Sequence, residues 1–363
     1  MDIKTYLDWI AREGLLKYVK KAHPVFIHAL QQSLTPKEGD TILIAGDRGT
    51  LDRRVPALVL ANYIVAAKKL RLDLRFALQK PKATGSAVGE QVMEELLMLP
   101  EKSLIALSLS GKLGSSKEMG KSFRKFVSQH RHRFISTPSL SGMVTPGFKY
   151  VVSAMDIDLL SLRDRGEKLK QVLDTGEELH ISTRRGTDLT VGIRGMKSIN
   201  NDGIYTEPGT GGNLPAGEVY IPPAPLKVEG TIVIDGSLKD KDRCSIIRKP
   251  ATFIVEKGRI VSIEGDALAR KLDRDLGWAE SVSRRPKNVR KIGEIGIGTN
   301  PRAKVIGPTI INEKAYGTAH VAIGSNAWFG GDIKTFVHLD QVFYEPIIQV
   351  DGKLYNPHGR YQP

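Results

Sequence analysis

The chain has 363 residues, 40% of them hydrophobic and 26% charged, which suits an ordinary soluble protein of about two domains, each with its own core. Its one cysteine, Cys244, excludes an internal disulfide framework and a thiolate zinc site. No apolar run approaches the ~20 residues that cross a bilayer, so the cytoplasm is the expected address and no membrane partner is expected.

The first stretch, "MDIKTYLDWIAREGLLKYVKKAH", is amphipathic with acids and bases interspersed, unlike a signal peptide. After it, strand-like and helix-like runs alternate. "DTILIAGD" precedes the helical "RRVPALVLANYIVAAKKL", "LDLRFALQ" precedes "SAVGEQVMEELLML", and "SLIALSLS" precedes "SSKEMGKSFRKFVSQ". Alternation of this length predicts an α/β domain, a doubly wound and mostly parallel sheet, over residues 1–156. Neither "IAGDRGT" nor "LSLSGKLGSSK" has the spacing of a nucleotide-binding glycine loop.

The formal charge of +14 is concentrated here: residues 1–150 hold 24 lysines and arginines against 13 acids, and the remainder 30 against 27. The densest part runs from Lys102 to Arg133. A basic stripe attracts nucleic acid or acidic ligands. Phe123 and Phe126, at helical spacing, instead make the lysines the solvated face of a core-facing helix, and nucleic acid is not an expected partner.

Residues 157–176 read as one linking helix ending at Gly176. Beyond it, "ELHISTRRGTDLTVGIRG", "GTIVIDG", "TFIVEKGRIVSIEG" and "YEPIIQVDGKLY" alternate apolar and polar residues around glycine-containing turns. That pattern predicts hairpins and a β-rich, mainly antiparallel domain over 177–363, interrupted by the helical "DALARKLDRDLGWAESV".

Four segments of this second domain carry chemistry. Glu218 enters a short strand in "GNLPAGEVYIPP"; Glu294 stands in "GEIGIGTNP" on a face with Ile292 and Gly296. His320 lies in "GTAHVAIG", and "VHLD" sets His338 and Asp340 on one side of a strand. Each has an ordinary reading: a core histidine, a surface glutamate, a carboxylate holding an imidazole. Together they make two imidazoles and three carboxylates, a sulfur-free set suited to zinc, cobalt or manganese in a hydrolytic site. Five donors exceed what one catalytic ion needs, so two divalent ions sharing a carboxylate are the expected arrangement.

In this order, after an α/β half, "NLPAGEVYIPP", "GEIGIGTNP", "GTAHVAIG" and "VHLD" resemble the aminopeptidase T / aminopeptidase S family of metallopeptidases; "DRGEKL" and "RGTDL" belong to the same resemblance, which covers residues 160–345. The resemblance implies a paired-metal aminopeptidase that removes N-terminal residues from a peptide substrate, and a homodimer. It places the ligands on Glu218, Glu294, His320, His338 and Asp340, with Glu294 bridging the ions. Two ions would lower the pKa of a bound water and so supply the attacking hydroxide. Glu313 and Lys314, in "NEKAYG", are candidates to move the proton, against the ordinary reading of an exposed, salt-linked turn.

The chain departs from that family at a tyrosine beyond the first histidine, where Ala327 and Trp328 stand; Tyr316 and Tyr344 are candidates to replace it. The same superfamily includes an iron-dependent dioxygenase that opens dihydroxypyridine rings at a mononuclear site. The missing tyrosine leans toward that alternative, and Glu294 in place of a nitrogen ligand leans away. A third alternative, nucleic-acid binding with a vestigial site, would rest on Lys117, Lys121, Arg124 and Lys125. His23, His28, His130, His132, His180 and His358 are not expected to bind metal.

Overall fold

The computed structural model describes residues 1–82, 85–120 and 122–355; Lys121 and His358 lie outside them. The alternating first half forms four strands of a five-stranded sheet and Gly211–Asn213, from later in the chain, adds the fifth, in the order Asp73–Leu78, Thr41–Gly46, Leu104–Ser108, Arg133–Thr137 and Gly211–Asn213, with every pairing parallel. Leu104–Ser108 is buried along its whole length, as expected where helices cover both faces of a parallel sheet. The helix expected over "SSKEMGKSFRKFVSQ" is confined to Phe123–Gln129 because the Ser122 hydroxyl accepts a hydrogen bond from the Lys125 amide and caps it there. Phe126 is buried and Phe123 packs beside it, so the apolar side of the basic stripe is core.

The chain divides into one compact unit of residues 1–159 and 203–216 and a second of 160–202 and 217–363. The second unit contains two seven-stranded sheets whose named pairings are all antiparallel. The expected parallel α/β half followed by a mainly antiparallel half is therefore the observed fold. Among the described residues, no helix is long and apolar enough to cross a membrane.

The two antiparallel sheets share one apolar core. Leu189, Val191, Ile232 and Phe253 come from one sheet; Val219, Ile295, Val321 and Phe343 come from the other. Burying a side chain of this size stabilises by ~1.5–3 kcal/mol. Strand geometry then decides what the second sheet shows on its opposite face. With a period of two, each inward Ile or Val commits its neighbours to the other side.

One strand does this with a correction to simple alternation. Ile292 would share a face with Glu294 if the strand Ile292–Gly298 were regular. Instead, Ile292 pairs with Ile323 and Glu294 with Ala322, so a bulge intervenes at Gly293. Ile292 joins the core beside Ile295 and Ile297, while Glu294 emerges on the opposite face. A Cβ at Gly293 would lie 2.1 Å from the Gly324 carbonyl oxygen, so the bulge requires glycine.

Candidate metal centre

Opposite the core, three rows of cross-strand partners line the sheet. Glu218 pairs with Asn201 and Gly298; Tyr220 pairs with Gly296, which pairs with His320; Ala322 pairs with both Glu294 and Asp340. His338 sits opposite Gly324 at the strand end. Strands lie ~4.8 Å apart and partners share a face, so donors on four neighbouring strands reach one another. Gly296, Gly298, Ala322 and Gly324 keep the floor low. At Gly296 the space is taken by an imidazole: a Cβ there would be 2.1 Å from His320 Nε2.

All five residues expected to be ligands converge. His320 Nε2 is 3.2 Å from Glu294 Oε1 and 3.7 Å from Glu218 Oε2. His338 Nε2 is 3.1 Å from Asp340 Oδ1 and 3.9 Å from Glu294 Oε2. Glu294, His320 and Asp340 each offer one donor atom within 4.8 Å of the others, a group able to hold a metal ion. The His338 ring is oriented from its far side, where Nδ1 is 3.0 Å from the Ser325 carbonyl oxygen, the kind of contact that fixes a metal-binding tautomer.

Electrostatics favour a cation. Lys239 pairs with Asp340 and Lys314 with Glu218 and Glu313, while Glu294 faces only the two imidazoles among the described residues, so the acids draw either protons onto the histidines or a metal cation in place of those protons. Burial alone would depress His320, but its hydrogen bond to Glu294 and the charges of Glu218 and Glu294 win and push it up to about 9. Burial opposes protonation of His338 as well, and Asp340 raises it. Asp340 is lowered well below the usual carboxylate range: burial disfavours its charge, but His338 and Lys239 outweigh that cost.

Glu218 provides a separate test of fit. Its Oε1 accepts hydrogen bonds from Lys314 Nζ and, at 3.1 Å, from Asn201 Nδ2. Its Oε2 is buried and has no hydrogen-bond partner among the described residues. His320 Nε2 lies 3.7 Å from it, beyond hydrogen-bond reach, and a buried carboxylate oxygen without a hydrogen bond is costly unless a cation or proton meets it. The donor set therefore fits a divalent metal.

Glu313 and Lys314 are not on an exposed turn. Lys314 is fully buried and ion-paired to both Glu218 and Glu313. Burial is the main influence on Glu313 and pushes it up to about 7 despite the Lys314 charge. Lys314 is disfavoured by burial but held above its ordinary value by Glu218 and Glu313. Of the two tyrosines, Tyr316 lies under the Arg165 guanidinium at 5.2 Å, and Tyr344 is 37% exposed at the end of its strand.

Lys239 and Asn201 carry no signal in the sequence, because only the strand pairing reveals them: Lys239 Nζ is 3.5 Å from Asp340 Oδ2. Trp328, marked in the sequence only by its departure from a family pattern, meets the His338 ring edge to face at 4.6 Å between centroids. His180 is paired to Asp188 on another sheet. A second acidic group, Asp240, Asp242 and Asp275, surrounds the Lys271 ammonium at 2.8–3.0 Å, which occupies its centre and offsets part of its charge.

Comparison with known proteins separates the chemistries that this donor set allows. The family model described as NicX, 2,5-dihydroxypyridine 5,6-dioxygenase, matches residues 157–363. The 2,5-dihydroxypyridine 5,6-dioxygenase of Pseudomonas putida KT2440 is 27% identical over 194 residues, covering 50% of this chain and 53% of that one. The match thus spans about half the length of the curated relative. Among solved structures, 2,5-dihydroxypyridine dioxygenase from P. putida KT2440 aligns with a TM-score of 0.71 at 19% identity, covering 93% of this chain and 95% of that one. Wild-type AmpT from Thermus thermophilus aligns with a TM-score of 0.60 at 15% identity, covering 93% and 97%. The two structural likenesses establish a shared fold.

These findings overturn the expected metalloaminopeptidase. The matching family and the curated relative are oxygenases, not hydrolases, peptidases or proteases, and the likeness to AmpT extends to the fold alone. The physical reason for the error lies in the donors: two imidazoles and several carboxylates serve hydrolytic and oxidative metals alike.

Proposed function

The chain belongs to the 2,5-dihydroxypyridine 5,6-dioxygenase family, and from that premise we propose that it opens a dihydroxylated aromatic ring with dioxygen, using a single iron(II). The observation that carries this reading is the convergence of His320 and His338 with Glu294 and Asp340 on one sheet face. Donor atoms of Glu294, His320 and Asp340 lie within 4.8 Å of one another and His338 adjoins Asp340, so two histidines and one of the two carboxylates can supply the ligand set of non-haem iron(II) oxygenases. When bound, the iron supplies the redox centre through which dioxygen reacts with an electron-rich ring, one ring carbon–carbon bond breaking and both oxygen atoms ending in the product.

The chain's own groups prepare that chemistry. His320 and His338 present Nε2, and Ser325 holds the second ring in place. Glu218 keeps Oε1 on Lys314 and Asn201, leaving Oε2 to accept the proton of a ring hydroxyl. Lys239 offsets the charge of Asp340. His338 is 28% exposed while Glu218, Glu294, His320 and Asp340 are at most 7% exposed, so solvent and substrate meet the cluster at His338.

The decisive experiment loads the purified protein with iron(II) without oxygen, measures bound metal, and then follows oxygen uptake with 2,5-dihydroxypyridine and catechol. About one iron per chain and oxygen uptake with a dihydroxylated ring are expected. Iron-loaded protein that consumes no oxygen with either ring sinks the reading.

The Gly296→Ala variant should keep the fold and lose iron affinity by about 10–100-fold, the range for disturbing a ligand's support. Its added methyl displaces the His320 ring from the position in which Nε2 faces Glu294. Wild-type iron affinity in this variant would show that the ring position is immaterial.

A further inference from the structure

The approach to the cluster is aromatic. Trp328, 52% exposed, stands edge-on to His338, the one candidate ligand with substantial exposure. Behind it the Phe329 ring lies 5.1 Å from Trp328, and Tyr220 lies 5.1 Å beyond Phe329. Tyr220 occupies the same cross-strand row as His320. A continuous band of rings therefore runs from the sheet floor to the solvent side of His338.

The loop carrying this band is held firmly. Asn326 donates from Nδ2 to the Gly293 carbonyl at 2.9 Å, and its Oδ1 accepts from the Ile333 amide at 2.8 Å. The Phe329 amide closes a turn on the Asn326 carbonyl at 3.2 Å. The loop is thus tied to the same bulge that aims Glu294 at the cluster. Trp328 keeps half of its surface open beside His338, and a flat ring laid against it buries area on both partners.

We propose that Trp328, backed by Phe329 and Tyr220, is the wall against which the substrate ring lies, and so selects flat, dihydroxylated rings over non-aromatic diols. This rests on the oxygenase reading above. Trp328 positions the ring and takes no part in proton or electron movement.

The test uses the full chain loaded with iron(II) and kept free of oxygen. It is titrated with 2,5-dihydroxypyridine and, separately, with trans-cyclohexane-1,2-diol, which keeps two hydroxyls but lacks the aromatic face. Binding is read by calorimetry and by tryptophan emission, with Trp328→Phe identifying the Trp328 contribution beside Trp9 and Trp278. The aromatic ring should quench Trp328 emission. Trp328→Ala should weaken its binding about tenfold and Trp328→Phe no more than about threefold, at unchanged iron content. With oxygen admitted, the Trp328→Ala loss should fall on KM rather than kcat. Aromatic affinity in Trp328→Ala within about twofold of wild type overturns the wall alone. Wild-type, iron-loaded protein that binds no aromatic ring overturns the wall together with the function on which it rests.

Discussion

Replacing His320 by alanine is expected to abolish stoichiometric iron binding and, with it, ring cleavage. The imidazole is fully buried and stands between Glu218 and Glu294, with Nε2 within 3.7 Å of both. Among the described histidines of the same unit, His180 belongs to a different sheet, and His338 already occupies the neighbouring position beside Asp340. Loss of a direct donor should exceed the ~100-fold cost of losing an outer partner. His320→Gln, close in size and polar, serves as a second variant in case alanine disturbs the core. His180→Ala is the control, since its partner Asp188 is surface-exposed and remote in the topology. Circular dichroism checks the fold, metal analysis the iron, and oxygen uptake the turnover. Either His320 variant with full iron content and wild-type turnover would remove this residue from the centre.

Lys314→Met should cost about 3–5 kcal/mol of stability in metal-free protein, the range for breaking a buried ion pair by removing one partner. The ammonium is fully buried and serves two carboxylates, Glu218 and Glu313. Methionine keeps the apolar stem and removes the ammonium, leaving Glu313 without its lysine and Glu218 with Asn201 as its donor. The loss should be smaller at pH 5 than at pH 8. Glu313 has its folded pKa raised, to about 7 even with Lys314 present, so the native state holds a proton that the unfolded chain has released. Stability from such a group is present at low pH and declines as pH rises through that window. Adding Glu313→Gln to Lys314→Met should recover part of the loss by removing one stranded charge. Denaturant midpoints provide the measurement, and a change below about 1 kcal/mol would mean that water reaches the triad and screens it.

Much of the centre is legible in the linear chain because strand geometry is local. In "VHLD" the two-residue period sets His338 and Asp340 on one face without reference to the rest of the molecule. That the small residues of "GTAHVAIG" and "GEIGIGTNP" keep a floor clear emerges only once the strands are paired. The face of Ile292 departs from the expected one because a bulge depends on the partner strand: Gly293 yields to the Gly324 carbonyl, which is remote in sequence. Lys314 departs for the same reason. In its segment it looks like an exposed turn residue, and only folding buries that turn and brings Glu218 onto its ammonium. The reaction class differs from the expected hydrolysis for a chemical reason, since the ligand types alone do not separate hydrolysis from oxygenation.

By itself, then, the sequence determined the parallel first half and the antiparallel second half, because helix and strand periods settle those matters, and it offered five polar side chains as candidates through their residue types and a family resemblance. Tertiary structure decided which acids are compensated by Lys239 and Lys314, which carboxylate oxygen of Glu218 is left bare, and that Trp328 stands over His338. Those outcomes depend on strand register and on charges meeting across long loops, and a linear order of residues does not contain the distances on which Coulomb and desolvation energies depend.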